Sequence, residues 1–286
     1  MRRLRLAGMV LLAALAVILG VGESPAQKTA VESSGTATIK GRVVYDGTPP
    51  DRAAADAAVL NQVIGNGGGG GHCLKDPTKE STRDQTWRFG KDGGVANVAV
   101  WIRPPAGKFF KKPDDDKKTW KEEVMVDQPY CAFVPHVVVL YAETWDEKAK
   151  KLVPTGQKFK FMNSAPMNHN TAWRGSEVKG IGGNIIIPPK GEQEKHLASN
   201  YGTVITVNCD FHKWMRGYIW SLETPYAAVT DKDGHFEIKN VPAGIELQIV
   251  AWHEQPGFFA AGGSQGEKLT LKAGETVTKE FKVKAK

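Results

Sequence analysis

Short runs in which apolar and polar residues alternate dominate the chain from residue 124 onward. Alternation over about four to eight residues is typical of β-strands that bury one face. Two earlier runs, 37–45 and 95–102, have the same character. Turn residues separate the runs, and no long amphipathic helix interrupts them. The pattern predicts an all-β protein of the β-sandwich class, with further strands at 133–141, 158–162, 184–187, 203–209, 217–222, 235–238, 245–252, 268–271 and 277–283.

Two segments before residue 95 depart from the strand pattern. The Ala-rich stretch 53–63 predicts one short helix, because Leu60 and Val63 fall on one side of it. The glycine-rich stretch 65–71 predicts a loop. It is not a phosphate-binding loop, because it lacks the Lys-Ser/Thr pair that such a loop requires.

The first residues predict export. Residues 1–26 combine three arginines, an apolar run over 7–21 and small residues before a cleavage point, which is the pattern of a secretory signal peptide. The alternative is a retained N-terminal anchor, although the apolar run is short for one. We expect localisation to a periplasm or cell surface, with no membrane span after cleavage. A polar leader, 27–36, is expected to be disordered.

The charge balance bears on the class of partner. Lysine and arginine number 38 and aspartate and glutamate 31, for a net charge of +7. The basic residues are scattered among acidic ones, without a basic run that aromatic residues interleave, so the sequence gives no support to nucleic-acid binding. The ordinary interpretation is a solvated surface, and the functional one is docking of an acidic redox partner protein.

The strongest chemical signal is a short loop with Cys-x-x-His-x-x-Met spacing, formed by Cys209, His212 and Met215. His169 lies forty residues upstream, at the end of another predicted strand region. One thiolate, two imidazoles and one thioether form a soft donor set that favours copper, with a weak axial Met. Zinc is the competitor, but methionine is a poor zinc ligand. The sequence therefore predicts one Cu(I)/Cu(II) ion on these four residues.

The two remaining cysteines, Cys73 and Cys131, are free to pair in an oxidising compartment. The alternative for Cys73 is a second metal site with His72. His136 follows Cys131 but falls on the opposite face of a strand, which argues against a shared ion. For the strand end Trp252-His253-Glu254, packing or capping is the ordinary interpretation, and contact with the copper domain is the functional one.

Residues 124–223 resemble a cupredoxin, the family of plastocyanin and amicyanin. The resemblance lies in the strand regions 133–140 and 156–163, the stretch from 165 to Asn170, and the final hairpin 201–222 with the amicyanin spacing of its ligands. An insertion over 142–151 departs from the family pattern. The resemblance implies a Greek-key fold and a role for Asn170 in orienting the Cys209 loop.

The flanking segments, 37–123 with 224–286, resemble a carboxypeptidase-regulatory-like, transthyretin-type sandwich. The matching pieces are 39–47, 94–101, 228–238 and 241–244. The resulting architecture is a cupredoxin inserted into an Ig/transthyretin-like sandwich, which is possible when the ends of the host loop lie close together. Exported methylamine-utilisation-type proteins carry a similar pairing.

The expected function is one-electron transfer by an exported type 1 (blue) copper protein. Hydrolytic motifs, Walker motifs and the His-x-His pairs of multicopper oxidases are missing from the sequence, so we expect an electron carrier and not an enzyme. The first alternative is a periplasmic copper-binding or carrier protein, or a non-catalytic subunit of a surface complex. A second is a cell-surface adhesive or carbohydrate-binding module.

Overall fold

The computed structural model describes residues 28–66, 70–114 and 119–285, so the predicted signal peptide lies outside the described residues. Within these ranges the chain is built mainly from strands, which confirms the all-β prediction. No described helix is long and apolar enough to cross a membrane. The helices are α1 (Ala53–Gly65) and α2 (Gly70–Cys73). The strands are β1 (Thr29–Ala30), β2 (Thr36–Tyr45), β3 (Ala99–Arg103), β4 (Lys108–Phe109), β5 (Glu123–Val126), β6 (Val137–Tyr141), β7 (Glu143–Asp146), β8 (Lys151–Pro154), β9 (Lys158–Met162), β10 (His169–Arg174), β11 (Gly182–Ile187), β12 (Glu192–Glu194), β13 (Ile205–Asn208), β14 (Arg216–Leu222), β15 (Ala227–Val229), β16 (His235–Pro242), β17 (Glu246–His253), β18 (Gly257–Phe258), β19 (Glu267–Thr270) and β20 (Thr276–Val283).

Two sheets formed by strands near the ends of the chain make what we call the outer sandwich. One sheet has the order β15-β3-β17-β18, with β19 also paired to β17, and the other has the order β16-β2-β20. Alternate residues of β2 and β16, such as Ile39 and Phe236, point into the shared core. The period of two that marked these segments as strands thus also determines which face they bury.

Strands between residues 123 and 222 form a central sandwich. Its larger sheet has the order β11-β10-β13-β14-β6, and its smaller sheet has the order β12-β9-β5. The neighbours β10 and β13 are antiparallel, with Ala172 opposite Asn208. The start of β10 therefore lies beside the end of β13, which is the arrangement that brings residues 169 and 209 together.

The two sandwiches share a buried aromatic contact. Trp101 of β3 and Trp252 of β17 pack against Trp220 of β14, with ring centroids 4.9 and 5.5 Å from that of Trp220. Trp101 and Trp220 are almost inaccessible to solvent. Large aromatic side chains bury much apolar area, so this contact joins the larger sheets of the two sandwiches firmly.

The insertion of one domain into another stays a prediction, but the strand ranges bear on its boundaries. The segment carrying α1 and α2, assigned from the sequence to the host, packs against the central sandwich: Val63 and Cys73 belong to the same buried cluster as Cys131 and Met215. A disulfide between Cys73 and Cys131 holds this segment against the central sandwich.

Two local expectations need correction. The leader 27–36, expected to be disordered, pairs Thr29–Ala30 in parallel with Lys108–Phe109, and Ala30 is buried. Backbone pairing to a distant strand gives a polar segment an order that its composition does not reveal. The stretch 65–71, expected to be loop, includes Gly65 at the end of α1 and Gly70 at the start of α2.

Candidate metal centre

Three metal-binding side chains converge at one end of the larger central sheet. His169 is the first residue of β10, Cys209 directly follows β13, and His212 lies on the loop between β13 and β14. All three are buried, with exposed fractions of 0, 2 and 4 %. One ligand atom from each lies within 4.8 Å of those of the other two. The structure thus brings together three of the four residues chosen from the sequence, within a distance that one ion can bridge.

The fourth predicted ligand, Met215, ends the same loop. Its backbone N–H donates to the carbonyl of His212 at 2.9 Å, and the N–H of Cys209 donates to the carbonyl of Met215 at 3.4 Å. The Met215 side chain is 2 % exposed and belongs to the same apolar cluster as Cys209. The loop is thus closed by its own backbone and holds the Met215 side chain in the interior.

The distances between donor atoms suit a metal ion. The Cys209 Sγ lies 4.0 Å from Nδ1 of His169 and 3.6 Å from Nδ1 of His212. A metal about 2.3 Å from sulfur and about 2.0 Å from nitrogen, at an angle of about 120°, separates those atoms by about 3.7 Å. A shared ion accounts for both approaches, and the residues present therefore fit copper.

The electrostatics keep the imidazoles in the form that binds metals. Burial lowers the pKa of His169 to about 3, and the neighbouring His212 adds to the effect. Burial also lowers the pKa of His212. Both rings are therefore neutral at pH 7. Burial raises the pKa of the Cys209 thiol, while backbone N–H groups, among them that of Asn170, act in the opposite direction. A cation bound beside the sulfur would favour the thiolate over the thiol.

Asn170 connects the metal loop to the neighbouring strands. Its Oδ1 accepts the backbone N–H of Asp210 at 2.7 Å, directly after Cys209. Its Nδ2 donates to the side chain of Asn184, which in turn donates to the carboxylate of Asp210 at 3.0 Å. This closed set of bonds fixes the backbone that carries the thiol. It is the contact that the family resemblance implied for Asn170.

We predict that Asn170→Ala weakens copper binding by about 10- to 100-fold, which is typical when a group that orients a ligand is removed. The reason is that the N–H of Asp210 loses its acceptor and the Cys209 loop gains freedom. Competition with a copper chelator measures the effect. Asn184→Ala is the matched control, because it leaves the bond to the Asp210 N–H intact, and it should have a smaller effect. Equal losses in both variants would contradict this role.

The stretch before His169 is held by a residue whose role was not foreseen. Asn163, 1 % exposed, donates through Nδ2 to the carbonyls of Met167, Ile187 and Pro188 at 2.7 to 3.1 Å. Its Oδ1 accepts the N–H of Ala165. A single buried amide thus fastens the approach to His169. Its place before an apolar, proline-containing loop was the available signal, but the sequence does not reveal which carbonyls it meets.

The site is covered by the disulfide and by an indole ring. Cys73 and Cys131 are completely buried, their Cα atoms are 5.4 Å apart, and their sulfurs lie within 4.8 Å of a ring nitrogen of His212. The Trp214 ring lies 5.1 Å from the His212 ring, and its Nε1–H donates to the carbonyl of Cys131 at 3.1 Å. Pairing of these cysteines had been foreseen, but their place against a candidate ligand had not.

The other candidate residues have structural partners. Nε2 of His136 donates to the carboxylate of Glu254 at 2.6 Å, across the contact between the two sandwiches. The Nε2 of His72 lies 2.9 Å from the carbonyl of Pro129, and Cys73 is in the disulfide. In this disulfide form, the geometry thus gives His72 and Cys73 no separate metal site.

The metal-free protein should lose stability as the pH falls from about 6.5 to about 4. Burial lowers the pKa of His169 to about 3 and that of His253 to about 4. Below about pH 6.5 these imidazoles bind protons in the unfolded chain but stay neutral in the folded chain. Each imidazole should therefore lower the free energy of unfolding by about 3 kcal/mol by pH 4. Urea unfolding across this range measures the slope. His253→Gln should reduce this dependence of stability on pH. His196→Gln should not, because the His196 side chain is half-exposed. An unchanged slope in His253→Gln would contradict the role given to His253.

Comparison with known proteins finds similarity among solved structures alone. No protein-family model matches, and no curated protein matches. A purple cupredoxin from Nitrosopumilus maritimus is 14 % identical over 34 % of this chain and 98 % of its own, with a TM-score of 0.24. Amicyanin from Paracoccus versutus is 16 % identical over 44 % of this chain and 98 % of its own, with a TM-score of 0.25. A reduced W45Y mutant of amicyanin is 11 % identical over 43 % and 97 %, with a TM-score of 0.27. Scores this low carry no functional conclusion for this chain.

Proposed function

We propose that this chain is an exported electron carrier that holds one copper ion on His169, Cys209 and His212, with Met215 as a weak axial ligand. The observation that carries the proposal is the convergence of two neutral imidazoles on one buried thiol, at distances of 4.0 and 3.6 Å. Copper bound to such a set accepts and releases single electrons. The role is therefore that of a type 1, non-enzymatic carrier.

The chain's own residues supply what electron transfer requires of a protein. The donors come from a sheet and from a loop closed by backbone hydrogen bonds, so little can move when the charge of the site changes. The Asn170 and Asn163 side chains fix the backbone on both sides of the donors. A site on rigid elements with an orienting outer layer of hydrogen bonds keeps one geometry. The site is less suited to a protein that delivers copper, because all four donors are buried and none is exposed to a receiving protein.

The partner is a redox protein with an acidic docking surface. A cleft of about 190 Å³ beside Trp214 is lined by the cations Arg83, Lys213 and Arg216. Two carboxylates also line it, but each has its own partner: Asp84 pairs with Arg52 and Glu254 with His136. Trp214 reaches from this cleft to the ring of His212. Complementary charge raises the rate of association and is screened by salt, so reduction by the partner should slow as ionic strength rises.

The test is to add Cu(II) to the purified metal-free protein and record its visible absorption. We expect an intense thiolate-to-copper band that saturates at about one copper per chain, disappears on reduction and returns on reoxidation. His169→Gly should lose the band, whereas the matched surface variant His196→Gln should keep it. A protein that stays colourless and holds copper as Cu(I) alone would overturn electron transfer and support a copper carrier.

A further inference from the structure

His212 belongs to two groups of metal-binding atoms, and the electron carrier uses one of them. The second group consists of His212, Cys73 and Cys131, whose ligand atoms lie within 4.8 Å of one another and whose side chains are all buried. In the described state the two sulfurs are joined in a disulfide. The question is what these three residues do in the dithiol form, before that bond closes.

Hydrogen bonds other than the disulfide hold Cys73 in place. The carbonyl of Cys73 accepts the hydroxyl of Ser81 at 2.6 Å. Ser81 is itself fully buried, and its N–H donates to the carboxylate of Asp76 at 2.8 Å. Asp76 also accepts the N–H of Thr78. The backbone at Cys73 is therefore fixed by a buried polar network that reduction of the disulfide leaves untouched.

A separate set of contacts holds Cys131. Its carbonyl accepts the indole N–H of Trp214, which lies on the metal loop itself. Just before it, Tyr130 stacks on His72 with ring centroids 5.1 Å apart, and His72 also contacts the carbonyl of Pro129. Since His72 precedes Cys73 in the chain, these contacts join the two cysteine segments to each other. Both thiols thus remain near His212 when the sulfur–sulfur bond is open.

We propose that Cys73, Cys131 and His212 form a second metal site, which takes Cu(I), in the dithiol form of the protein. Two thiolates and one imidazole are a soft donor set of the kind that binds Cu(I). Zinc can use the same three donors when a water fills its fourth position, so zinc is the competing ion. Because His212 is common to both groups, the two sites draw on one imidazole. The site captures Cu(I) next to the electron-transfer site before the disulfide closes.

The dithiol form has two reactions: it binds Cu(I), and without copper it is oxidised to the disulfide. Binding of one Cu(I) to the two thiols forms two copper–sulfur bonds and releases two protons. Closure of the empty site follows thiol–disulfide exchange: a small disulfide oxidant takes two electrons and both thiol protons and leaves as two thiols, while the bond between Cys73 and Cys131 forms. The disulfide then removes both sulfurs from the donor set.

The experiment uses the full chain with Cys209→Ser, which removes the first site's thiol. One sample is refolded without oxygen in a phosphine reductant and another keeps its disulfide. Each is titrated with Cu(I) against a Cu(I)-chelating dye. The reduced sample should bind about one Cu(I) per chain, with an affinity at least about tenfold above that of the disulfide sample. Adding His212→Ala to the reduced variant should cost about tenfold or more in affinity.

The control is the triple variant that adds Cys73→Ser and Cys131→Ser, which should bind no Cu(I) tightly after reduction. If the reduced chain is unfolded without metal, near-ultraviolet circular dichroism should show that Cu(I) restores its fold, since metal binding and folding are coupled. Equal binding by reduced and disulfide samples, or a reduced chain that stays unfolded with Cu(I), overturns the proposal. Neither outcome depends on the visible band of the wild-type protein.

Discussion

Cys209→Ser should abolish the visible band of the copper-loaded protein and weaken copper binding by about a hundredfold or more. The band requires a thiolate, because charge moves from sulfur to copper, and Cys209 is the one cysteine outside the disulfide. A hydroxyl in its place is a harder ligand and stays protonated far more readily than a thiol. The two imidazoles would remain, so residual weak binding is expected without colour. Absorption and chelator competition on the same sample measure both effects.

Loss of colour must be separated from loss of fold. Cys209 is 2 % exposed, so a change of side chain there also disturbs packing. Cys209→Ala is the matched control, because it removes the thiol without burying a hydroxyl. Both variants should be colourless, and urea unfolding of the metal-free forms should show that each is still folded. A band that survives in either folded variant would mean that the thiolate assignment is wrong.

Local spacing is what made the candidate site visible in the sequence. Cys209, His212 and Met215 lie within seven residues after a strand pattern, so one tight loop had to bring them together. His169 was added as the end of a predicted strand region, but in the structure it begins β10, a strand that the alternation did not predict. Antiparallel pairing of β10 with β13 then places it beside Cys209. The structure supplies what spacing does not contain, namely the 4.0 and 3.6 Å separations from the thiol.

Local spacing could not predict contacts between distant parts of the chain. The sequence left a disulfide between Cys73 and Cys131 as one possibility, and nothing in their surroundings indicated that their sulfurs lie near His212. Likewise, α1 lies next to strands of the outer sandwich in the sequence and yet packs on the central sandwich. Alternation of apolar residues shows which face of an element is buried, and not which other element covers it.

Strand boundaries show the same limit on a smaller scale. The apolar run 95–102 predicted one strand, whereas β3 begins only at Ala99. Just before it, Asn97 has a positive φ of 63°, and the N–H of Val95, which lies outside any strand, donates to the carbonyl of Val43 at 2.9 Å. Asparagine tolerates this left-handed backbone better than most residues, so the chain turns within an apolar run. Burial of Val95 and Val98 is therefore preserved without a continuous strand.

The second prediction concerns Glu254, a buried carboxylate at the contact between the two sandwiches. It lies 2.6 Å from Nε2 of His136 and accepts the hydroxyl of Tyr218 at 2.8 Å. The side chains of Glu254 and His136 are only 6 and 5 % exposed. Burial acts to raise the pKa of Glu254, but its bonds to His136 and Tyr218 outweigh burial and lower that pKa. The carboxylate is therefore ionised at pH 7 and paired on both oxygens.

Glu254→Ala should destabilise the protein by about 3 to 5 kcal/mol, because it leaves His136 and Tyr218 buried without their partner. Glu246→Ala is the matched control at the other end of β17, since Glu246 is exposed and pairs with Lys268, and it should cost about 0 to 1 kcal/mol. Chemical denaturation of the metal-free protein at pH 7 gives both values. Tyr218→Phe, which removes one hydroxyl and its bond, should fall between them at about 1 to 3 kcal/mol.

The visible band expected of the copper-loaded protein provides a second measurement on the Glu254→Ala variant. His136 and Tyr218 belong to the central sandwich, and the carbonyl of His136 also accepts the N–H of Tyr218. Tyr218 lies near the start of β14, the strand that follows the metal loop. If the two sandwiches unfold as one unit, the visible band and the aromatic signal of the copper-loaded Glu254→Ala protein should disappear at one denaturant concentration. A band that persists after the outer sandwich has unfolded would show that Glu254 stabilises the junction alone. A loss below about 1 kcal/mol would instead show that the buried carboxylate is replaceable.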